Sequence, residues 1–293
     1  MKQIGFVFFF LGMTAGTQVV FALELKQTDT QDRTSFFETV YEATGRLEYE
    51  IVGASLLEKA QKKRENAFLW KPPLGVKVKK AYLIWSGTVA EAGIEKGAKN
   101  IALKFPAGGK LLKMTPDRFY TVEEEGQQKA YTGVVDMTSV LKKEGIYKVV
   151  DVETQADRFG GYGVIGIYEN PKVPKRHVVL KAGMARLKPG EIYKVQILKE
   201  NKVDGRAGWM SVMGGNAISG NGSSNLFSSS GWRWDIDHFE IGKFQIESQN
   251  GLTWSIDPLL QWLYPVAAVI QIDIRVADPR VVDPRSKKGG EKR

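Results

Sequence analysis

The sequence predicts an all-β protein, folded as an antiparallel, jelly-roll-like β-sandwich with one or two short helices. Three observations predict this class. Short segments rich in β-branched and aromatic residues recur along the chain, turns rich in Gly, Pro, Asn or Asp separate them, and only two stretches suit a helix. A parallel sheet is disfavoured, because it would need a helix between most pairs of strands.

The first clear strand signal is "GRLEYEIVG", where Leu47, Tyr49 and Ile51 alternate with glutamates. A period of two indicates a half-buried strand. The next stretch, "SLLEKAQKKREN" (55–66), favours a helical turn or two. A second short helix is predicted at "DMTSVLKKEG" (136–145).

Most of the remaining chain carries strand signals at regular spacing, as a sandwich requires. The predicted strands are 76–87, 100–109, 118–124, 129–137, 146–154, 162–169, 176–184, 191–200, 232–248, 251–257 and 267–276. Between the predicted strands 191–200 and 232–248 lies the segment 205–231, in which Gly, Ser and Asn dominate and apolar residues stand singly. We expect a long loop there, and loops of this length are usually functional or mobile.

The two ends of the chain lie outside the predicted fold. Residues 1–22 have the pattern of a secretory signal peptide, with Lys2, an apolar run and small residues before cleavage after Ala22. We predict an N-terminal extension at 23–44, a sandwich at 45–277, divided into two sub-sheets or subdomains as an alternative, and a disordered basic tail at 278–293. The protein is therefore expected to be exported to the cell surface or medium, with the periplasm as the alternative.

The composition excludes several classes of site. The chain contains no cysteine, which removes thiol nucleophiles, cysteine-ligated zinc and disulfide bonds. Its formal charge of +9 is concentrated partly in "RSKKGGEKR", which we interpret as a solubilising tail, or as a contact to anionic surfaces. Nucleic acid is not expected as a partner, because the basic residues do not interleave with aromatic ones.

Gly161, Gly163 and Gly166 match the dinucleotide-binding spacing G-x-G-x-x-G. That motif needs a helix directly after it, whereas Pro171 and Pro174 interrupt the backbone donors that such a helix would use. We therefore predict a strand. Tyr162, Val164 and Tyr168 should share the face of Gly166, while Gly163 and two isoleucines share the other. Glycines inside a strand mark a bulge or a place where a large side chain, here a tryptophan, crosses the backbone.

The densest polar group is "WRWDIDHFEI", where Asp235 and Asp237 share one face of a predicted strand and His238 and Glu240 share the other. Two carboxylates about 7 Å apart suit a calcium ion or the acid and base of a glycosidase. A solvent-exposed face without either role is the alternative. A Ser-His-acid arrangement is open in space, but no G-x-S-x-G elbow surrounds any serine.

The order of the segments resembles an uncharacterised β-sandwich domain of bacterial secreted and cell-surface proteins of adhesin type. The resemblance runs from about Gly45 to Val276, and its most specific parts are "AYLIWSG", "GYGVIGIYENP" and "WDIDHFEI". It implies core strands with a tryptophan-bearing seam that includes Trp85 and Trp234, and no catalytic residues. The chain shows no repeats after the sandwich, which favours a single-domain protein over one module of a stalk.

We therefore expect a non-enzymatic exported protein, without a cofactor, that binds a protein partner or a glycan through its loops. The candidate binding residues are Asp235, Asp237, His238 and Glu240 together with the loop amides. These amides are Asn221 and Asn225. A glycan-active hydrolase or lyase, and a subunit of a fibre or surface lattice with self-association, are the alternatives.

Overall fold

The computed structural model describes residues 37–58, 61–62, 65–106, 109–124, 126–155, 158–190, 193–198, 205–215, 234–241, 252–256 and 262–274. The predicted signal peptide, most of the N-terminal extension, the basic tail, Asn221 and Asn225 lie outside these residues. Among the residues that the structure describes, no helix is long and apolar enough to span a bilayer.

Antiparallel strands make up 67% of the described residues and helices 4%, which confirms the predicted all-β sandwich class. In chain order they are β1 (Phe37–Gly45), β2 (Leu47–Ser55), β3 (Leu57–Glu58), β4 (Gln61–Lys62), β5 (Glu65–Trp70), β6 (Lys77–Ala90), β7 (Ile101–Lys104), β8 (Leu111–Met114), β9 (Arg118–Glu123), β10 (Gln128–Asp136), β11 (Gly145–Val150), β12 (Gly160–Glu169), β13 (Arg176–Gly183), β14 (Tyr193–Leu198), β15 (Gly205–Gly215), β16 (Trp234–Ile241), β17 (Leu252–Ile256) and β18 (Tyr264–Ile274). A short helix, α1 (Glu91–Gly93), continues into a π-helical turn (Ile94–Ala98).

The strands form three stacked layers. The central sheet has the order β2-β12-β6-β10-β9, the long outer sheet β1-β13-β18-β15-β16, and the short outer sheet β5-β11-β7-β8. Two strand pairs, β3-β4 and β14-β17, stand apart from these sheets. The predicted sandwich thus gains a third layer, and its first strand begins at Phe37, upstream of Gly45.

The central sheet is buried on both faces. On β12, Tyr162, Val164 and Tyr168 enter the core toward the short outer sheet, whereas Ile165 and Ile167 enter the core toward the long outer sheet. This is the division of faces that the sequence predicts, because successive side chains of a strand point in opposite directions.

Tryptophans pack directly on glycines of the central sheet. A Cβ atom on Gly161 would lie 1.9 Å from Cδ2 of Trp234, and one on Gly133 would lie 2.4 Å from Cζ2 of Trp85. Both indoles are fully buried, and Trp85 donates its Nε1 hydrogen to the carbonyl of Ala98 at 3.0 Å. The contact of Trp234 with Gly161 joins the long outer sheet to the central sheet, as predicted for this strand, whereas Trp85 crosses Gly133 on the neighbouring strand of the central sheet itself.

The same requirement holds at two further glycines of β12. A Cβ atom on Gly163 would lie 2.4 Å from the sulfur of Met213, and one on Gly166 would lie 2.2 Å from the hydroxyl oxygen of Tyr168. The motif G-x-G-x-x-G thus lies within one strand, with no helix following it.

Both predicted helices are wrong. Residues 55–66 instead contain the β3–β4 pair, because the Ser55 hydroxyl accepts a hydrogen bond from the backbone of Leu57 and turns the chain. At 136–145, an oxygen of Asp136 accepts a hydrogen bond from the backbone of Thr138 at 2.8 Å, which forms a turn in place of a helix.

The predicted loop at 205–231 is wrong in its first part, since residues 205–215 form β15 in the interior of the long outer sheet. Met210 and Val212 alternate there with Ser211 and Met213, and all four are buried. Glycines on both sides of this segment hide the alternation in the sequence. Residues 216–231 lie outside the described residues.

We expect Gly161→Ala to destabilise the protein by about 2–4 kcal/mol, because the added methyl group must displace the buried indole of Trp234. Urea unfolding followed by tryptophan fluorescence measures this loss. Gly45→Ala is the matched control, since its Cβ would meet nothing closer than 3.4 Å. Equal stabilities of the two variants would contradict the packing role of Gly161.

Candidate functional site

The strand that carries the predicted polar site is β16, at the edge of the long outer sheet. Asp235 lies opposite Gly214 and Asp237 lies opposite Val212 in the β15–β16 register. The side chains of both aspartates lie outside the described residues, so the calcium site at these positions stays a prediction. Within the described part of the chain, no group of three or more His, Asp or Glu residues is placed to hold a metal ion.

His238 belongs to a hydrogen-bonded chain that links two sheets. Its Nδ1 lies 2.6 Å from the hydroxyl oxygen of Ser211, which in turn lies 2.6 Å from the hydroxyl oxygen of Tyr49 on the central sheet. Ser211 is fully buried, with 0% of its surface exposed. A substrate cannot reach this serine, so the contact acts as a polar tie between the layers. Burial raises the pKa of Tyr49 to about 12.

A buried ion pair lies at the end of the central sheet where β9 turns into β10. Nε of Arg186 lies 3.4 Å from Oε1 of Glu124, and the carboxylate side chain is only 1% exposed. The guanidinium stacks on the ring of Trp262 at 3.7 Å. Burial raises the pKa of the Tyr264 hydroxyl, and its hydrogen bond to Glu124 raises that pKa further. No pattern in the sequence predicts this pair, because Glu124 lies in a run of three glutamates that resembles a solvated turn.

The opposite end of β6 lines a cleft of about 830 Å³. One wall is the end of β1 with the β1–β2 turn, and the other wall is the start of β6 with the end of β12. The lining residues are Tyr41, Ala43, Thr44, Gly45, Arg46, Leu47, Gly75, Val76, Lys77, Lys79, Glu169, Asn170 and Pro171. We call this space the basic cleft.

Hydrogen bonds tie the two walls of the basic cleft together. Arg46 donates to the carbonyl of Pro171 at 2.7 Å, and the backbone N–H of Asn170 donates to the carbonyl of Arg46 at 2.8 Å. The side chain of Asn170 donates to Glu48 at 2.8 Å. Because these bonds join the β1–β2 turn to the loop after β12, the cleft is preformed.

Cations outnumber anions in the basic cleft. Glu169 is its one carboxylate among the described lining residues, and it contacts Lys79 at 2.6 Å and Lys77 at 3.8 Å. The hydrogen bond from Lys79 lowers the pKa of Glu169 and raises the pKa of Lys79. With Arg46 included, the lining carries three cations and one anion.

A tyrosine forms part of this wall. The hydroxyl of Tyr41 is buried and has no hydrogen-bond partner in the described structure. Burial raises its pKa, while the nearby Lys79 acts in the opposite direction. A buried hydroxyl without a hydrogen bond costs free energy, so Tyr41 contributes its ring to the wall rather than its hydroxyl group.

No family model matches the chain, and no curated protein matches it. Among solved structures, the viral major capsid protein STIV MCP is similar over 78% of this chain and 96% of its own, with 8% identity and a TM-score of 0.28. That weak likeness carries no argument about function. The predicted resemblance to adhesin-type domains likewise stays a prediction.

The basic cleft could not be found from the sequence, because its walls come from three separate parts of the chain. The alternation in "VKVKKAYLIW" does show that two lysines, Lys77 and Lys79, share a face of one strand. Their approach to Glu169 and Arg46 depends on the pairing of β6 with β12 and on the β1–β2 turn.

We expect Tyr49→Phe to lower the free energy of unfolding by about 1 kcal/mol at pH 8, because it removes the hydrogen bond to Ser211. Above pH 10 this deficit should shrink and then reverse. The folded wild type holds the Tyr49 proton up to about pH 12, whereas the unfolded chain releases it near pH 10, so the wild type loses about 2–3 kcal/mol as pH rises through that window.

Urea unfolding at pH 8, 10 and 11.5 measures this difference. Ser211→Ala is the control, since it removes the same hydrogen bond and keeps the phenol, and so should retain the wild-type dependence on pH. A deficit of Tyr49→Phe that does not change with pH would contradict the assignment.

Proposed function

We propose that this protein is a non-enzymatic, exported binding protein that holds an acidic glycan in the basic cleft. The observation that carries the proposal is a preformed cleft with three cations and one carboxylate. Cations at the rim suit the carboxylate or sulfate groups of an acidic glycan.

The apolar part of the lining fits the same ligand. Ala43, Leu47, Val76 and Pro171 lie between the polar groups. Sugar rings present apolar C–H faces beside their hydroxyl groups, so a mixed lining binds them better than a purely charged one. A cleft of about 830 Å³ has room for a short oligosaccharide segment.

Binding without hydrolysis fits the charges of the cleft. Glycosidases of the usual kind need two carboxyl groups, about 5–10 Å apart, on the two sides of the scissile bond. The described lining offers only Glu169, and Lys79 holds that group in its ionised form. This supports binding over hydrolysis within the basic cleft.

We expect the purified protein to bind polygalacturonate or heparin, and not neutral dextran, in isothermal titration calorimetry. Lys77→Gln with Lys79→Gln should weaken binding at least tenfold, because both substitutions remove cations from the rim. Glu169→Gln should strengthen binding severalfold, because it removes the one competing anion. Binding of the wild type should weaken as salt is added.

Lys172→Gln is the matched control, since this exposed lysine lies close by in the loop after β12 and does not line the cleft. It should leave binding unchanged. Equal binding to dextran, or an equal loss in the control variant, would overturn the proposal.

A further inference from the structure

The outer face of the short outer sheet combines exposed aliphatic side chains with lysines. Leu69 and Ile146 are each 57% exposed and lie directly opposite each other in the β5–β11 register. Leu111 on β8 is 45% exposed and lies opposite Lys104 on β7. These positions point away from the core, because their neighbours along each strand are buried or half-buried against the central sheet.

The register extends this pattern across all four strands. Lys148 lies opposite both Ala67 and Lys104, so that two lysines stand side by side in the middle of the face. In the next row, Val150 lies opposite Glu65 and Ala102, and the buried Ala102 lies opposite Lys113. The positions of this face thus hold aliphatic residues, three lysines and one glutamate, so that cations predominate.

We propose that this face docks the protein on an anionic lipid bilayer. The lysines would lie among the lipid phosphates, and the three exposed aliphatic side chains would enter the boundary between headgroups and acyl chains. The inference is independent of the glycan proposal, because none of these residues lines the basic cleft.

The shape and charge of the face favour a bilayer over other occupants. Four short strands form an extended surface, and its exposed aliphatic side chains line neither the basic cleft nor the cleft beside Trp70. A second copy of the chain stacked on this face would bring lysines against lysines, which is unfavourable. A flat surface rich in phosphate matches both the aliphatic and the cationic groups.

The test is co-sedimentation of the full chain with vesicles of phosphatidylcholine alone, or with 30% phosphatidylglycerol. We expect binding only to the anionic vesicles, and weaker binding at higher salt. Lys104→Gln with Lys113→Gln should reduce the partition coefficient about fivefold for each lysine. Leu69→Thr with Ile146→Thr should reduce it about tenfold, and threonine keeps the preference for a strand.

Matched controls separate this face from general charge and apolarity. Leu74 is fully exposed in the loop between β5 and β6, and Lys172 and Lys175 are exposed between β12 and β13. Leu74→Ser, and Lys172→Gln with Lys175→Gln, should leave vesicle binding unchanged. Unchanged tryptophan fluorescence should show that every variant is folded.

Three results would overturn the proposal. The first two are equal binding to neutral vesicles and equal losses in the control variants. The third is binding to soluble polyglutamate that the threonine variants do not weaken, because that result would indicate an acidic protein partner. Glycan binding that is unchanged in the cleft variants, with vesicle binding behaving as expected, would count against the proposed function alone.

Discussion

Burial of the central sheet on both of its faces is the constraint on which the rest of the structure depends. Antiparallel sheets often leave one face to solvent, but here β6, β10 and β12 contribute side chains to two cores. The chain has no disulfide bond, so this double burial supplies the apolar area that holds the layers together. Gly161 and Gly163 of β12 follow from it, because Trp234 and Met213 of the long outer sheet approach the strand where a side chain is absent.

The same constraint determines where a ligand can bind. A sheet covered on both faces offers only the ends of its strands and the outer surfaces of the flanking layers. The basic cleft lies where β6 emerges from the core, since Lys77 and Lys79 are exposed and every residue from Ala81 to Val89 is buried. At the other end of the sheet, Arg186 forms an ion pair with the buried carboxylate of Glu124.

The sequence predicts much of the fold because a period of two survives wherever a strand faces two different environments. It predicts the faces of Tyr162 and Ile165 correctly, and it predicts the close approach of a tryptophan to the glycines. It fails at β15, where glycines interrupt the pattern, and at 136–145, where one hydrogen bond from Thr138 to Asp136 decides between a turn and a helix. The third layer is hidden as well, because β12 is apolar on both faces and its pattern does not say which strands cover each face.

The functional surfaces follow a different rule, which the sequence could reveal only in part. Local alternation places Lys77 beside Lys79, but the groups that face these lysines come from elsewhere in the chain and depend on strand order. The net positive charge of the chain gives the sign of a partner and not its position. The layers determine where the lysines lie, because a lysine on a covered face would lose its hydration. The lysines are therefore found at strand ends and on the outer sheet. Both proposed surfaces therefore result from the same packing that makes the centre of the protein apolar.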